Sequence, residues 1–367
     1  MGGLRAPGNV ARCGDRFAVT RVQGREPGSG ELGATPARQF ELAFAELARR
    51  VEAAGLKPDE IGRVTVFTPD RSLRPFINEP WLAMFPGTDR PARKTTHSDL
   101  GEGVYVELAV DGVRGSRREQ IEIEGVAHKD PLPMAVRMGR YIFSSVIPAD
   151  VPGGGSVDGV DAIHQVFANM RAVVEAAGGT LADVQNVWVY LGMWDLHDDM
   201  VDTWVASFPD QHRRPTRKTF WYPSVSIQLQ MEAVLGGDRR VIEIEGLPHR
   251  DPIPMAAICD GLFTTSGVDG RDPATGKVPR GVPAQSRMML RNLDTLLRQA
   301  GGSAEDLFHV TALVGARRYI PDVVEAWAQR FPDGGPALQF LELGLVARDM
   351  LVQVLAEGLV PGDGPGR

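Results

Sequence analysis

Only two cysteines, Cys13 and Cys259, occur in 367 residues. Two thiols build neither a disulfide framework nor a thiolate metal set, so a reducing cytosol is the simple expectation. No run of 18 apolar residues is present, which excludes a hydrophobic spanning helix. Residues 1–17 hold no apolar stretch of signal-peptide length. Excess basic charge is absent too. The formal net charge is −7, and the densest basic knot, 114–118, is short. A nucleic-acid footprint is therefore not expected, and the knot reads as a solvated hairpin tip. No phosphate cradle exists either. Gly153-Gly154-Gly155 follows Pro152 and leads into Ser156-Val157-Asp158, without the Gly-Lys-Ser/Thr a P-loop needs. No histidine, cysteine or carboxylate pattern has metal-ligand spacing. Together these absences point to a cytoplasmic chain with no cofactor, no metal, no nucleic acid and no membrane among its partners.

What is present is a repeat. Trp81, Trp204 and Trp327 recur every 123 residues, each opening a Trp-x-x-x-Phe-Pro pattern. Gly55, Gly178 and Gly301, each preceded by alanine, keep the same interval. So do Val64, Val187 and Val310, each opening an apolar run. Three landmarks in one register mean a threefold internal repeat. A unit of this size is too long for a solenoid and right for a compact domain. Apolar content of 43% with 24% charge gives each unit enough to build a core. The boundaries read as 1–118, 119–239 and 240–360, with 361–367 as a disordered tail.

In the second unit, 139–146 (GRYIFSSV) reads as a strand. Ile163, Val166, Phe167, Met170, Val173, Val174 and Ala177 then fall on one helical face. Gly178-Gly179 stops that helix, because glycine takes the left-handed cap cheaply. Residues 187–191 (VWVYL) read as a buried strand and 200–208 as a second helix. Residues 224–234 and 240–245 alternate with period two. The third unit follows the same plan. The first lacks a front strand: 121–135 has a near copy at 242–256 but none before residue 14. The order strand, strand, helix, strand, helix, strand implies an α+β unit, with two helices on one face of a mixed sheet. Three such units can cover their other sheet faces by meeting about a pseudo-threefold axis.

These residues resemble the RidA family, also called YjgF. Phe263-Thr264-Thr265-Ser266-Gly267 is similar to its strand ending in Ser-Gly. Gln285, Asn292 and Ala300-Gly301 match its helix. Pro91-Ala92-Arg93-Lys94-Thr95 and Pro215-Thr216-Arg217-Lys218-Thr219 look like its Pro-x-Arg. The resemblance implies three RidA-like domains fused into one chain, a monomer or dimer of pseudo-trimers, with clefts between domains as sites. It implies cofactor-independent hydrolysis of an imine or enamine acid, with arginine holding the carboxylate. A guanidinium suits that task because its planar fork grips a carboxylate bidentately.

Carried over residue by residue, the substrate anchors are Arg93 and Arg217, while Leu338 replaces the third. The family's last-strand glutamate is met here by Tyr105, Gln230 and Leu351, with Glu107, Glu232 and Gln353 two residues on. Leu132 and Ile253 replace its tyrosine. The favoured site is the cleft of Arg217, with Glu232 as the proton-transferring carboxylate and Lys218 as charge support. Ser266 or Thr265 joins from the neighbouring unit. Trp221 and Tyr222 form an aromatic wall, and Glu107 is a further substrate-binding residue. His128 and His249, in matching Pro-bounded loops, read as structural. Two other functions stand beside this one: a chorismatase-like hydrolase on the same pseudo-trimer architecture, and a non-catalytic protein that binds a metabolite or a partner.

Overall fold

The computed structural model describes residues 9–343 and 349–361. The expected tail lies outside the described residues from position 362 onward. Among the described residues are three mixed sheets, one per unit, and six α-helices. None of these helices is long and apolar enough to cross a membrane.

In the second sheet the strand order is Thr216–Trp221, Val184–Leu191, Ile227–Val234, Tyr141–Ser144, Ala135–Met138, Glu119–Ile121. The third sheet repeats it as Ala337–Glu342, Leu307–Val314, Val352–Leu359, Leu262–Thr265, Ala256–Cys259, Arg239–Ile242. The first has five strands: Ala92–His97, Ile61–Thr68, Glu107–Val113, Arg16–Gln23 and Val10–Cys13. Among the described residues it has no counterpart of Glu119–Ile121. Two kinds of strand escape the period-two reading. Ala135–Met138 and Ala256–Cys259 are short and buried almost throughout, so they do not alternate. Ala92–His97 and Thr216–Trp221 look polar, yet each is a parallel edge strand. Parallel pairing needs a crossover, and the second helix of each unit supplies it.

The long helices Pro36–Ala53, Gly159–Ala176 and Val282–Gln299 pack one apolar face on their own sheets. Thr35 caps the first by accepting from the Arg38 amide. Gly55, Gly178 and Gly301 end all three with positive φ of 68°, 83° and 80°, as a left-handed cap requires. Trp81, Trp204 and Trp327 are fully buried under the second helices.

The opposite sheet faces meet along a shared axis. Ala18, Val136, Phe143, Leu262 and Phe308 form a cluster drawn from all three units. Phe67, Tyr190, Phe220 and Leu313 form another. Between the units sit ionised groups in threefold-equivalent places. Asp111, Glu232 and Glu357 lie across from Ala18, Phe143 and Thr264 in their respective sheets. Arg16 pairs with Glu232 at 2.6 Å, Arg63 with Asp111 at 3.0 Å, and His309 with Asp111 at 2.9 Å. The Arg16 guanidinium lies 4.7–5.0 Å from the ring centroids of Tyr141, Phe143 and Phe308. Burial opposes the charge on His309, but Asp111 outweighs it and raises the ring's pKa. Burial, then Glu232 and Asp111, raise that of Glu357. Asp111, His309 and Glu357 also bring possible ligand atoms within 4.8 Å of one another. Two guanidiniums and the His309 ring already face the three carboxylates there, so the cluster reads as an ion-pair network.

Candidate active site in the clefts between units

Each cleft forms where the parallel edge strand of one unit meets the sheet of the next. The Arg93 amide donates to Ser145 Oγ at 3.0 Å, and the Arg217 amide to Ser266 Oγ at 3.1 Å. In the third cleft Thr20 Oγ1 donates to the Leu338 carbonyl at 3.1 Å. One residue on, the pattern repeats with side chains. Lys94 meets Gln228 at 3.2 Å, Lys218 meets Gln353 at 2.5 Å, and Gln339 meets Glu107 at 2.6 Å. These contacts show the cyclic order of the three units.

The first two clefts share a floor. Arg217 is buried beneath the second cleft, with its guanidinium 4.9 Å from the Trp204 ring centroid and in an ion pair with Asp251. Asp251 also lies 3.1 Å from His197 Nε2. Arg93 repeats this 4.7 Å from the Trp81 ring and 3.3 Å from Asp130. The tryptophans complete the junction. Trp81 Nε1 donates to the Pro131 carbonyl at 3.1 Å and Trp204 Nε1 to that of Pro252 at 3.4 Å. Thus the repeated tryptophan carries the arginine, and the next unit's His-x-Asp-Pro loop closes over both. The first unit's sequence holds no His-x-Asp-Pro motif before its first described strand. Trp327 Nε1 turns to its own Gly334 carbonyl, and Leu338 is buried in the third core. The arginine is missing where its aspartate partner is missing.

Unsatisfied polar atoms mark this floor. Among the described residues, Arg217 Nε and Nη1, Arg93 Nη1, His249 Nε2 and His128 Nε2 are buried without hydrogen-bond partners. A buried polar atom left unpaired costs about 1–3 kcal/mol. A carboxylate seated against the guanidinium would satisfy it. The cavities are about 640 Å³ in cleft one and about 530 Å³ in cleft two. Burial pushes the Lys218 amine down to about 8, partly offset by Asp269 and Asp251. Burial, then Arg74, pushes Lys94 down to about 7. The Tyr190 ring centroid, 3.9 Å from Lys94 Nζ, works the other way by favouring the ammonium.

The sheet register moves several expected site residues. Val64, Val187 and Val310 face Val110, Met231 and Ala356 across the sheets. In that register Glu107, Gln228 and Gln353 are equivalent, facing Phe67, Tyr190 and Leu313. Glu232 instead matches Asp111 and Glu357, and its carboxylate is held by Arg16 at the axis. It does not line the Arg217 cavity, so it cannot reach a substrate there. Thr265 is spent on the Ala356 amide at 2.9 Å. Ser266 fixes the Arg217 backbone. Thr20 occupies the place of Ser266 in the first unit, since Ala18 and Thr264 share a register position. Trp221 is 60% exposed and lines neither cavity. Tyr222 stacks on His97 at 5.6 Å beside cleft one, away from Arg217. Glu107 serves cleft three, bonded to Gln339 and, at 2.8 Å, to Gln23. Arg217, Lys218 and Arg93 do line the clefts.

The sequence reading missed Asp130, Asp251, Asp269, Trp194 and His197. The first two had a signal. His128-Lys129-Asp130-Pro131 and His249-Arg250-Asp251-Pro252 occur twice, like the arginine motif, and the third arginine is absent.

Known proteins fit this geometry. Residues 254–357 match the family described as Endoribonuclease L-PSP. A RutC family protein of Pyrococcus horikoshii is 29% identical over 120 residues, covering 32% of this chain and 95% of that one. The 3-aminoacrylate deaminase RutC of Acinetobacter baylyi is 28% identical over 114 residues, 29% of this chain and 90% of its own. The third unit is a RidA-family domain. Its two neighbours repeat the domain's strand order, so the chain is three RidA-like units in one polypeptide. A 2-iminobutanoate/2-iminopropanoate deaminase of Capra hircus is 27% identical over 120 residues, 32% of this chain and 88% of its own. Over the whole RidA-like array, a solved chorismatase matches with a TM-score of 0.59. It covers 95% of this chain and 99% of its own at 14% identity, which shows a shared fold.

The loop histidines give a pH dependence. Burial, then Arg93, pushes His128 down to about 4. Burial, opposed by Asp269 and reinforced by Lys218, does the same to His249. An unfolded histidine titrates near ~6.5, so between about 4 and ~6.5 the unfolded chain binds more protons. Their contribution is complete above ~6.5 and lost as pH falls toward 4. The melting midpoint should decline across that window. His128→Gln with His249→Gln should flatten this decline; an unchanged slope would show that these rings titrate normally.

Proposed function

We propose that the chain is a cofactor-independent enzyme that hydrolyses imine or enamine acids to oxo acids and ammonia in clefts one and two. The observation that carries this reading is the pair of buried arginines with unsatisfied N–H groups, each on a tryptophan and each lining a cavity. The deaminase names of the relatives support it. Arg217 and Arg93 are the carboxylate anchors. In cleft two, Gln353 Oε1 orients a water toward the imine carbon, and Lys218, beside it, transfers a proton to the departing nitrogen. Water adds to the carbon and gives its protons in turn to the Lys218 amine, which passes them to the nitrogen; the carbon–nitrogen bond breaks, the carbon keeps the oxygen as an oxo group, and the nitrogen leaves as ammonia. Ser266 positions the anchor through its backbone, and Asp269 completes the cavity wall. Cleft one repeats the set with Lys94 and Gln228. Cleft three, with Leu338 at the anchor position, is inactive.

Glutamine in place of glutamate in both clefts favours a second reading, a protein that binds oxo or imino acids without turning them over. Glutamine orients water but cannot take its proton. The test is ammonia release from 2-iminobutanoate generated in situ, with semicarbazide trapping what is not hydrolysed. Release above the spontaneous rate, reduced in Lys218→Met, supports catalysis. Tight binding of 2-oxobutanoate with only the spontaneous rate supports the binding protein.

A further inference from the structure

The two clefts share a floor but have different mouths. The turn before each second helix sits at the rim, Arg71–Phe76 in the first unit and Trp194–Leu196 in the second. The interval that carries Trp81 to Trp204 also carries Arg71 to Trp194 and Arg74 to His197. The rim of cleft one is therefore two guanidiniums. Arg74 reaches Asp130 at 3.2 Å, on the same carboxylate oxygen that Arg93 contacts. Among the described residues Arg71 hydrogen-bonds to the Ser224 carbonyl, at 3.4 Å. The rim of cleft two is instead a flat pair, with Trp194 stacked on His197 at 4.7 Å and 22°.

The charge balance follows the rims. Cleft one and its side chamber, a further cavity of about 80 Å³, are lined by Arg71, Arg74, Arg93, Lys94 and Lys129 against Asp130 and Asp150. Cleft two sets Arg217, Lys218, Arg250 and Arg271 against Asp251 and Asp269. Arg271 pairs with Asp269 at 3.3 Å, as Arg74 pairs with Asp130 at 3.2 Å, so Arg71 is the rim cation that sets cleft one apart.

Resting on the carboxylate-anchor reading above, we infer that the clefts are specialised. Cleft one takes small aliphatic dicarboxylates, with one carboxylate on Arg93 and the second on Arg71 and Arg74. Cleft two takes a monocarboxylate whose ring or bulky apolar group stacks on Trp194. The chain would then handle two substrate classes with one chemistry. A fork of two guanidiniums holds a carboxylate strongly. The exposed indole offers an aromatic face and apolar area.

Calorimetry with 2-oxoglutarate, 2-oxobutanoate and phenylpyruvate tests this. The native chain should bind 2-oxoglutarate about tenfold or more tightly than 2-oxobutanoate, the effect of one charge-assisted hydrogen bond. That preference should shrink with added salt, since the rim arginines are exposed. Arg71→Gln with Arg74→Gln should erase it and leave phenylpyruvate affinity unchanged. Trp194→Ala should weaken phenylpyruvate and leave 2-oxoglutarate unchanged. A dicarboxylate preference that survives loss of both rim arginines overturns the specialisation. So does 2-oxobutanoate binding that needs Arg93 or Arg217 in a chain showing no preference at all; the anchor reading then stands alone. If none of the three acids binds the native chain at millimolar concentration, the anchor reading fails and the specialisation falls with it.

Discussion

A chain carrying Arg93→Leu and Arg217→Leu should lose 2-oxo acid binding and imine turnover at both clefts while keeping its fold. Each arginine offers a substrate carboxylate a charged hydrogen bond, whose loss costs about 1.5–3 kcal/mol, or roughly 10- to 150-fold in affinity. Leucine is a sound choice because Leu338 already sits buried at the equivalent place. The native third unit shows a further requirement: leucine occurs where no aspartate faces it. Asp130 and Asp251 should therefore be changed to asparagine in the same chain, so that neither is left as an unpaired, partly buried charge. Circular dichroism and melting should match the parent. Unchanged affinity and turnover in a folded variant would show that the arginines merely hold loops.

Trp204→Ala should be the most damaging single change to stability. Its indole is fully buried, packs at 4.6 Å on Phe208, and donates to the Pro252 carbonyl of the next unit. Large aromatic truncations in a core cost about 3–5 kcal/mol. For a domain of this size that lowers the midpoint by roughly 10 °C. The same change removes the face on which the Arg217 guanidinium rests. In the folded fraction, acid binding at cleft two should weaken while cleft one is spared. A midpoint within about 2 °C of the parent would contradict the core role.

The large features of the fold were legible because they rest on side chains that burial leaves little freedom to change. Tryptophans under a helix, glycines at positive φ and apolar strand starts kept one interval through all three units. The sites were less legible for two physical reasons. The strands that carry the anchors are edge strands whose arginine, lysine and threonine side chains are buried by a neighbouring unit, so their composition reads as loop. The last strand also departs from the main interval. Gln228 lies 121 residues after Glu107, and Gln353 lies 125 after Gln228. Matching Glu232 with Glu107 and Gln353 therefore placed it in a cleft, when pairing puts it at the axis with Arg16. The aspartates behind the anchors belong to the next unit, so only assembly brings them near.

Counting bound acids per chain tests the central claim most directly. Saturating calorimetry with 2-oxobutanoate, backed by a crystal structure of the complex, should find two molecules per chain. Each should set its carboxylate on Arg93 or Arg217, with nothing beside Leu338. Arg217→Leu with Asp251→Asn should reduce the count to one. Three equivalent molecules, or acid bound beside Leu338 with Arg93 and Arg217 untouched, would contradict the account.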